Sequence, residues 1–484
     1  MIYRPYTPSR QDPEVLERTA TGREDCLSGL LASIEEASEK PIRQHWLLIG
    51  PRGIGKSYII ALLFHRIKRA PGLMAKWLPI SFPEEAAGII TLRDFMEKVT
   101  RLCHEELENE GLSDEALTFR KILESVDGEA SSRRAVNQIR ESLIDWRNKS
   151  HRKLLILLEN ADRVIGNRIA KRLPDEKWLA DLLMNQDLLY FIATSPTFFK
   201  QATNKDRPLC ELFRIEQINE LSFKESSELL IKYAGEEERT DLVKEFKTRT
   251  NRIQAIYMLA GGNPRLLIML YMLVRDSAAS ITNVEVGFFN LLEELTPYFQ
   301  SCMTRLTDQE EKILAAFAEG PEFLAPAELC RRMHMAAKKV TAHLKRLESA
   351  GFIKRIENGG PEEIVYRLSA TAFRYWYQMN SERNREMSDI FIRFIILYYT
   401  YQEIEQIYIS RSTKLLGEKN ASEAATDAHR ELQYLEVAMH LARKGEIQTL
   451  LASLEKGVVK KSPADRFRHV YDELLKSIRN ILRF

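Results

Sequence analysis

The spacing of apolar residues changes several times along this chain, and each change marks an element or a domain. The first dozen residues are polar and Pro-rich, which predicts an extended arm. Between Asp25 and Lys40, Leu27, Leu30, Leu31 and Ile34 recur at helical spacing, and Pro41 ends the helix they predict. Trp46–Ile49 is a short apolar run that feeds a glycine-rich segment. A helix follows from Lys56, its broad apolar face made by Ile59, Ile60, Leu62, Leu63 and Ile67. Met74–Phe82 reads as the next strand, and Thr91 to Ser150 as a charged helical excursion between strands. Leu154–Leu158 is continuously apolar between polar flanks, the pattern of a strand buried on both faces of a parallel sheet. Leu188–Ala193 repeats it, and Phe213–Ile218 repeats it more weakly. Strands alternating with helices predict a doubly wound α/β domain ending near residue 217.

Beyond that point the period is helical to about residue 300. Residues 303–370 then give three helices (Leu306–Glu319, Ala325–Met333, Ala336–Ala350) and a hairpin (Phe352–Arg355, Ile364–Leu368) around Asn358-Gly359-Gly360. Residues 371–484 are almost wholly helical and charged.

Composition narrows the class. At about 100–200 residues per domain, 484 residues predict two to four domains. Hydrophobic residues make up 44% and charged residues 29%, ordinary for a globular protein with real cores. A formal charge of +2 rules out a blanket polyanion binder, so any nucleic-acid surface must be local. Cys26, Cys103, Cys210, Cys302 and Cys330 are scattered, without C-x-x-C pairs or histidines at zinc spacing, and read as reduced thiols. The N-terminus lacks the pattern of a secretion signal, and no run reaches the roughly 18 apolar residues of a membrane span. The expectation is a cytoplasmic protein with no membrane partner.

The chemistry starts at Gly50-Pro51-Arg52-Gly53-Ile54-Gly55-Lys56-Ser57, which fits G-x-x-x-x-G-K-[ST] between a strand and a helix. Gly50, Gly53 and Gly55 let the backbone turn its N–H groups toward phosphate oxygens, and the following helix adds its positive end. Lys56 is the candidate for the β- and γ-phosphates and the Ser57 hydroxyl for Mg²⁺. Such a site also needs a carboxylate at a neighbouring strand tip. Leu154–Leu158 ends in Glu159-Asn160-Ala161-Asp162, which makes Glu159 the metal-side candidate and Asp162 the candidate to position water. Asn160 cannot act as a base, so fast hydrolysis does not follow. Thr194-Ser195 at the next strand tip is either a γ-phosphate contact or a strand-end turn. Gly261-Gly262-Asn263-Pro264-Arg265 opens a helix, with Arg265 either directed at nucleotide from a lid or a solvent arginine. Arg207 is a weaker candidate for an arginine finger.

Taken in order, Thr21-Gly22-Arg23-Glu24, the glycine loop, L-L-I-L-L-E-N-A-D-R and G-G-N-P-R-L resemble the AAA+/STAND group of P-loop ATPases. The likeness is to archaeal-type ATPases and origin-recognition initiator ATPases, over roughly residues 15–300 and on into a winged helix. The resemblance implies an AAA+-like parallel sheet, and a Gly22-Arg23 segment that closes over adenine, hence ATP with Mg²⁺. It also implies a nucleotide-driven switch, often in an oligomer. The expected organisation is an ATPase core (1–217), a helical lid (218–300), a winged helix-turn-helix (301–375) and an all-α interaction domain (376–484).

Arg331 to Leu347 carries Arg331, Arg332, Lys338, Lys339, Lys345 and Arg346 with His334 and His343 and no acid. Against a nearly neutral chain this marks a phosphate-backbone surface, with Lys338, Lys339, Thr341, His343, Lys345 and Arg346 as the candidate contacts to double-stranded DNA. Winged helices also dock proteins. The aromatic run Phe373-Arg374-Tyr375-Trp376-Tyr377 reads as core joining domains rather than a stacking platform, and the helical spacing of Phe391, Phe394, Ile395, Tyr398 and Tyr401 as core or a partner groove. Two functions remain. One is a DNA-associated ATPase controlled by nucleotide. The other is a STAND-like signalling or antiviral-defence switch, or a nucleotide-stabilised scaffold, slow or inert in hydrolysis, whose winged helix and C-terminal helices bind protein.

Overall fold

The computed structural model describes residues 8–40, 44–83, 88–185, 187–276, 281–357, 364–381, 387–417, 432 and 434–439. Pro41, the wing turn at Asn358-Gly359-Gly360 and most of the predicted helical stretch beyond residue 417 lie outside the described residues. The chain divides into two compact units, residues 1–219 and 220–484.

The first unit is built on five parallel strands, β1 (His45–Ile49), β2 (Trp77–Ser81), β3 (Lys153–Leu158), β4 (Leu189–Ser195) and β5 (Phe213–Gln217), in the order β2-β3-β4-β1-β5. The continuously apolar runs are the interior strands, and every residue of β1, β3 and β4 is buried. β5 reads weakly because it is an edge, with Arg214 and Glu216 alternating against Phe213 and Ile215. The other edge, β2, accommodates Pro79, whose missing N–H an interior strand would not tolerate.

Nine α-helices accompany this sheet among the described residues: α1 (Pro13–Thr19), α2 (Glu24–Glu39), α3 (Lys56–Lys68), α4 (Pro71–Met74), α5 (Leu92–Asn109), α6 (Ser113–Val126), α7 (Ser132–Ser150), α8 (Leu173–Leu183) and α9 (Lys200–Thr203). Strand parity sorts the core. Leu47, Ile49, Leu154, Ile156 and Phe191 face the α5–α8 layer, whereas Trp46, Leu48, Leu155, Leu157 and Ile192 face α2 and α3. Each such side chain contributes about 1.5–3 kcal/mol on burial.

One element is added and one expectation corrected here. Past the first dozen residues the chain forms a helix not read from the sequence, α1, because Asp12 caps it through Glu14 N (2.8 Å), Pro13 suits its first turn, and Val15, Leu16 and Thr19 are buried. The strand predicted from Met74 starts at Trp77, since Pro71–Met74 forms a helical turn.

The second unit begins with six helices, α10 (Phe223–Glu236), α11 (Thr240–Thr248), α12 (Thr250–Ala260), α13 (Pro264–Asp276), α14 (Ile281–Glu294) and α15 (Thr296–Met303). Then come α16 (Asp308–Glu319), α17 (Pro326–Met333), α18 (Ala337–Ser349) and the antiparallel pair β6 (Ile353–Glu357) and β7 (Ile364–Leu368), a three-helix winged fold. Leu324 bridges Tyr366 and adds a short third rung to the wing. The last named helices are α19 (Thr371–Ser381), α20 (Met387–Tyr398) and α21 (Tyr401–Gly417). The aromatic run is core: Phe373, Tyr375 and Trp376 are buried, and Phe288 of α14 stacks on Phe394 at 4.6 Å and meets Tyr375 at 6.0 Å. Among the described residues no helix is long and apolar enough to cross a membrane.

Candidate functional site

β1 delivers the chain to Gly50 at the carboxyl end of the parallel sheet, where open α/β sheets hold their ligands. The turn that follows depends on its glycines. Gly53 and Gly55 have φ of 76° and 101°, a left-handed backbone costly to other residues. A Cβ on Gly50 would lie 2.6 Å from the carbonyl oxygen of Ile218, so the loop runs against the exit of β5. Gly55 caps α3 without a side-chain hydrogen bond, which leaves first-turn N–H groups for a ligand. Ile54 is fully buried, while Pro51 and Arg52 are half-buried. The Lys56 ammonium is folded into the loop, donating to Gly50 O (2.6 Å) and Pro51 O (2.9 Å).

The acidic strand tip comes to the same place. β4 lies between β1 and β3, yet the Ser57 hydroxyl at the start of α3 donates to the Glu159 carboxylate just past β3. Glu159 is only 6% exposed. Asn160 beside it takes φ 53°, and Asp162, also buried, begins a π-helical turn (Asp162–Gly166), a deformation frequent at functional sites. Ser195 ends β4 beside the loop. Its hydroxyl donates to Thr197 O at 2.5 Å, while its carbonyl accepts the Gly50 N–H at 3.2 Å.

Gly22 (φ 63°) and Arg23 link α1 to α2. The Arg23 guanidinium turns toward the glycine loop, donating to Ile54 O (2.8 Å), Asn219 O (3.0 Å) and Gly22 O (2.9 Å). The arm before it is clamped to α3: Arg66 holds both Glu17 and Glu24 at 2.9 Å, and the Tyr58 hydroxyl donates to Leu16 O. Sequence alone does not reveal these partners, because they lie some 30 to 200 positions apart and leave no local pattern. Arg207 is engaged in its own unit, donating to Ala170 O (2.9 Å) and pairing with Glu176. Burial raises the Glu176 carboxyl pKa, and Arg207 opposes that shift.

In the second unit Pro264 opens α13, and Asn263 Oδ1 accepts from Arg265 N at 3.1 Å. The Arg265 guanidinium lies 5.4 Å from the centroid of the Tyr298 ring, a cation–π contact. On α18, Lys338, Lys339, Thr341, Lys345 and Arg346 are exposed. The His343 ring, in contrast, faces α16, with Nδ1 3.1 Å from Glu310 Oε1 and Nε2 2.9 Å from Gln309 Oε1. Burial works against the Glu310 carboxylate, but hydrogen bonds from Thr307, His343 and Arg346 together hold its pKa below the ordinary value. The basic run also gains acids from outside its window. Glu328 pairs with Arg331 and Arg332, and Glu310 lies 3.5 Å from Arg346. Wing residue Lys354 points inward, to Gly261 O (3.0 Å) and Glu220 (3.7 Å).

Two family profiles and several solved structures match this chain. The family profile "AAA ATPase domain" matches residues 19–199, and "Winged helix-turn-helix DNA-binding" matches residues 306–354. The Walker-type ATPase of Pyrococcus abyssi has a similar fold at 16% identity, TM-score 0.50, covering 74% of this chain and 96% of that one. The ORC1 protein of Aeropyrum pernix, solved in complex with DNA, aligns at 14% identity, TM-score 0.39, over 76% and 96%. Cdc6p of Pyrobaculum aerophilum aligns at 10% identity, TM-score 0.38, over 80% and 98%. No curated protein matches the chain in sequence. A phosphate loop and an acidic strand tip that meet across an intervening strand, in the segment the profile covers, make this chain an ATPase with an AAA ATPase domain and a winged helix-turn-helix behind it.

Proposed function

We propose that the chain binds ATP with Mg²⁺ in its first unit and uses nucleotide occupancy to set its conformation or assembly while the winged helix contacts double-stranded DNA. The observation that carries the nucleotide half is the Ser57–Glu159 hydrogen bond, which joins the start of α3 to the acidic strand tip. A hydroxyl and a carboxylate are hard oxygen donors, and among the described residues no group of three or more His, Cys, Asp or Glu side chains is placed to hold a metal ion. That donor set suits a cation completed by water and phosphate oxygens, which is how Mg²⁺ is usually held. Ser57 and Glu159 are the residues to hold it, and when bound it neutralises charge on the phosphates. Lys56 and the N–H groups of Gly53, Gly55 and Lys56 bind and orient the phosphate chain. Asp162 is the remaining carboxylate to position water. Arg265, by the family resemblance, serves the nucleotide from the lid.

The DNA half rests on exposed Lys338, Lys339, Thr341, Lys345 and Arg346, a positive face on a chain of net charge +2. A cytoplasmic homo-oligomer, or a protein partner at the C-terminal helices, completes the reading.

The test is ATP turnover and duplex binding by the purified chain at two salt concentrations. Lys56→Ala should abolish nucleotide binding, and duplex DNA should bind in a salt-sensitive way and raise wild-type turnover. Absence of binding to any duplex would sink the DNA half alone, whereas unchanged nucleotide affinity in Lys56→Ala would sink the first half. Asn160 favours one second reading: a STAND-like signalling or defence switch that holds its nucleotide and hydrolyses it slowly, with protein rather than DNA on the winged helix. Retained ATP with negligible turnover, DNA present or not, is its signature.

A further inference from the structure

Arg23 lies in the segment that the resemblance assigns to adenine, and one of its hydrogen bonds reaches the backbone of the phosphate loop, at Ile54 O. Only 9% exposed, its guanidinium donates to carbonyl oxygens of three separate segments: Gly22 in the arm, Ile54 in the loop and Asn219 beyond β5. Ile54 stands two residues before Lys56, and a Cβ on Gly55 would lie 3.6 Å from Arg23 Nε. The loop is fastened to the same strand exit on its other side, where Gly50 abuts Ile218 O and Ile218 N donates to Ile49 O at 2.7 Å. The arm that carries Arg23 is itself held to α3, by Arg66 on Glu17 and Glu24 and by Tyr58 on Leu16 O, with Thr19 Oγ1 3.1 Å from the Tyr58 oxygen.

We propose that Arg23 is a positioning residue that latches the phosphate loop to the exit of β5 and serves nucleotide through the loop backbone, not through the base. The inference rests on the reading of Gly50–Ser57 as the nucleotide site. A guanidinium suits the task because its planar fork has five donors in fixed directions, enough to span three carbonyls at once. A lysine ammonium keeps the charge but not that span.

The two roles predict different ligand dependence. With full-length protein and Mg²⁺, the affinities of ATP, GTP and inorganic tripolyphosphate are measured for wild type, Arg23→Ala and Arg23→Lys, alongside melting without ligand. A latch lowers all three affinities by a common factor of about tenfold or more, leaves the preference for ATP over GTP as in wild type, and is not rescued by lysine. A loss confined to ATP, with tripolyphosphate binding intact, would show a base contact and overturn the proposal. Wild-type binding by Arg23→Lys overturns it too, since charge alone would then suffice. Should Arg23→Ala fail to fold, Arg23→Lys carries the same comparison. Failure of the underlying site is a separate result: Lys56→Ala would bind all three ligands as wild type does.

Discussion

Asn160 is the residue on which the proposed slow hydrolysis turns. It follows the Glu159 carboxylate in a left-handed backbone (φ 53°), which asparagine tolerates better than most side chains. Glutamate at this position would cost about 1–2 kcal/mol in backbone strain. In exchange it would place a base beside Glu159, and a positioned base contributes at least about a hundredfold in favourable cases. Asn160→Glu should therefore raise steady-state ATP turnover while lowering the melting temperature, and Asn160→Ala should lower stability without any gain in rate. Equal turnover in all three proteins would mean that water is already activated elsewhere, with Asp162 first in line. Gly50–Ser57 and Glu159 can be found in the sequence because their chemistry is written in consecutive residues. The destinations of Arg23, Ser195 and His343 cannot. Each is decided by a backbone turn or a distant carbonyl or carboxylate that local spacing does not encode.

At the scale of elements, legibility follows burial. β1, β3 and β4 are buried on both faces and read as unbroken apolar runs, whereas edge strand β5 and the seven-residue α1 carry too few apolar positions for a clear period. The winged helix is legible as three helices and a hairpin, yet the sequence window overstates its charge because Glu310 and Glu328 reach into the basic run from outside. That difference changes which residues should matter for DNA. Alanine at exposed Lys338, Lys339 and Lys345 should weaken duplex binding and flatten the plot of log affinity against log salt by about 0.9 for each phosphate no longer neutralised. His343→Ala should act differently. By removing hydrogen bonds to Gln309 and buried Glu310, it should cost about 1.5–3 kcal/mol of stability in denaturant unfolding, with the salt slope unchanged. A slope altered by His343→Ala at unchanged stability would return that histidine to the DNA surface.

For the molecule as a whole, the fold carries its own acid sensitivity. His45 starts β1, between β4 and β5, and is 3% exposed. Its Nε2 lies 2.8 Å from Leu183 O and its Nδ1 accepts the Phe191 N–H at 3.1 Å, a pair of bonds that requires the neutral ring with its proton on Nε2. Burial pushes its pKa down to about 4 from an ordinary 6.5, and the hydrogen bond to Leu183 only partly opposes that. Between these values the unfolded chain binds a proton that the folded chain refuses. Stability is therefore full above pH 6.5, falls as pH drops through 6.5 toward 4, and loses nothing more from this group below 4. The full loss is about 3 kcal/mol at 1.36 kcal/mol per pKa unit, of which about 2 kcal/mol has gone by pH 5. Carboxylates titrate in the same window, so the wild-type curve alone cannot isolate the effect. His45→Gln can, because glutamine offers an N–H and a carbonyl without taking a proton, and the carboxylates are common to both proteins. Urea unfolding at pH 7.5 and pH 5 should show wild type losing about 2 kcal/mol more than His45→Gln over that interval. Parallel losses would mean that the ring is protonated in the folded sheet, and the neutral, doubly bonded His45 would have to be given up.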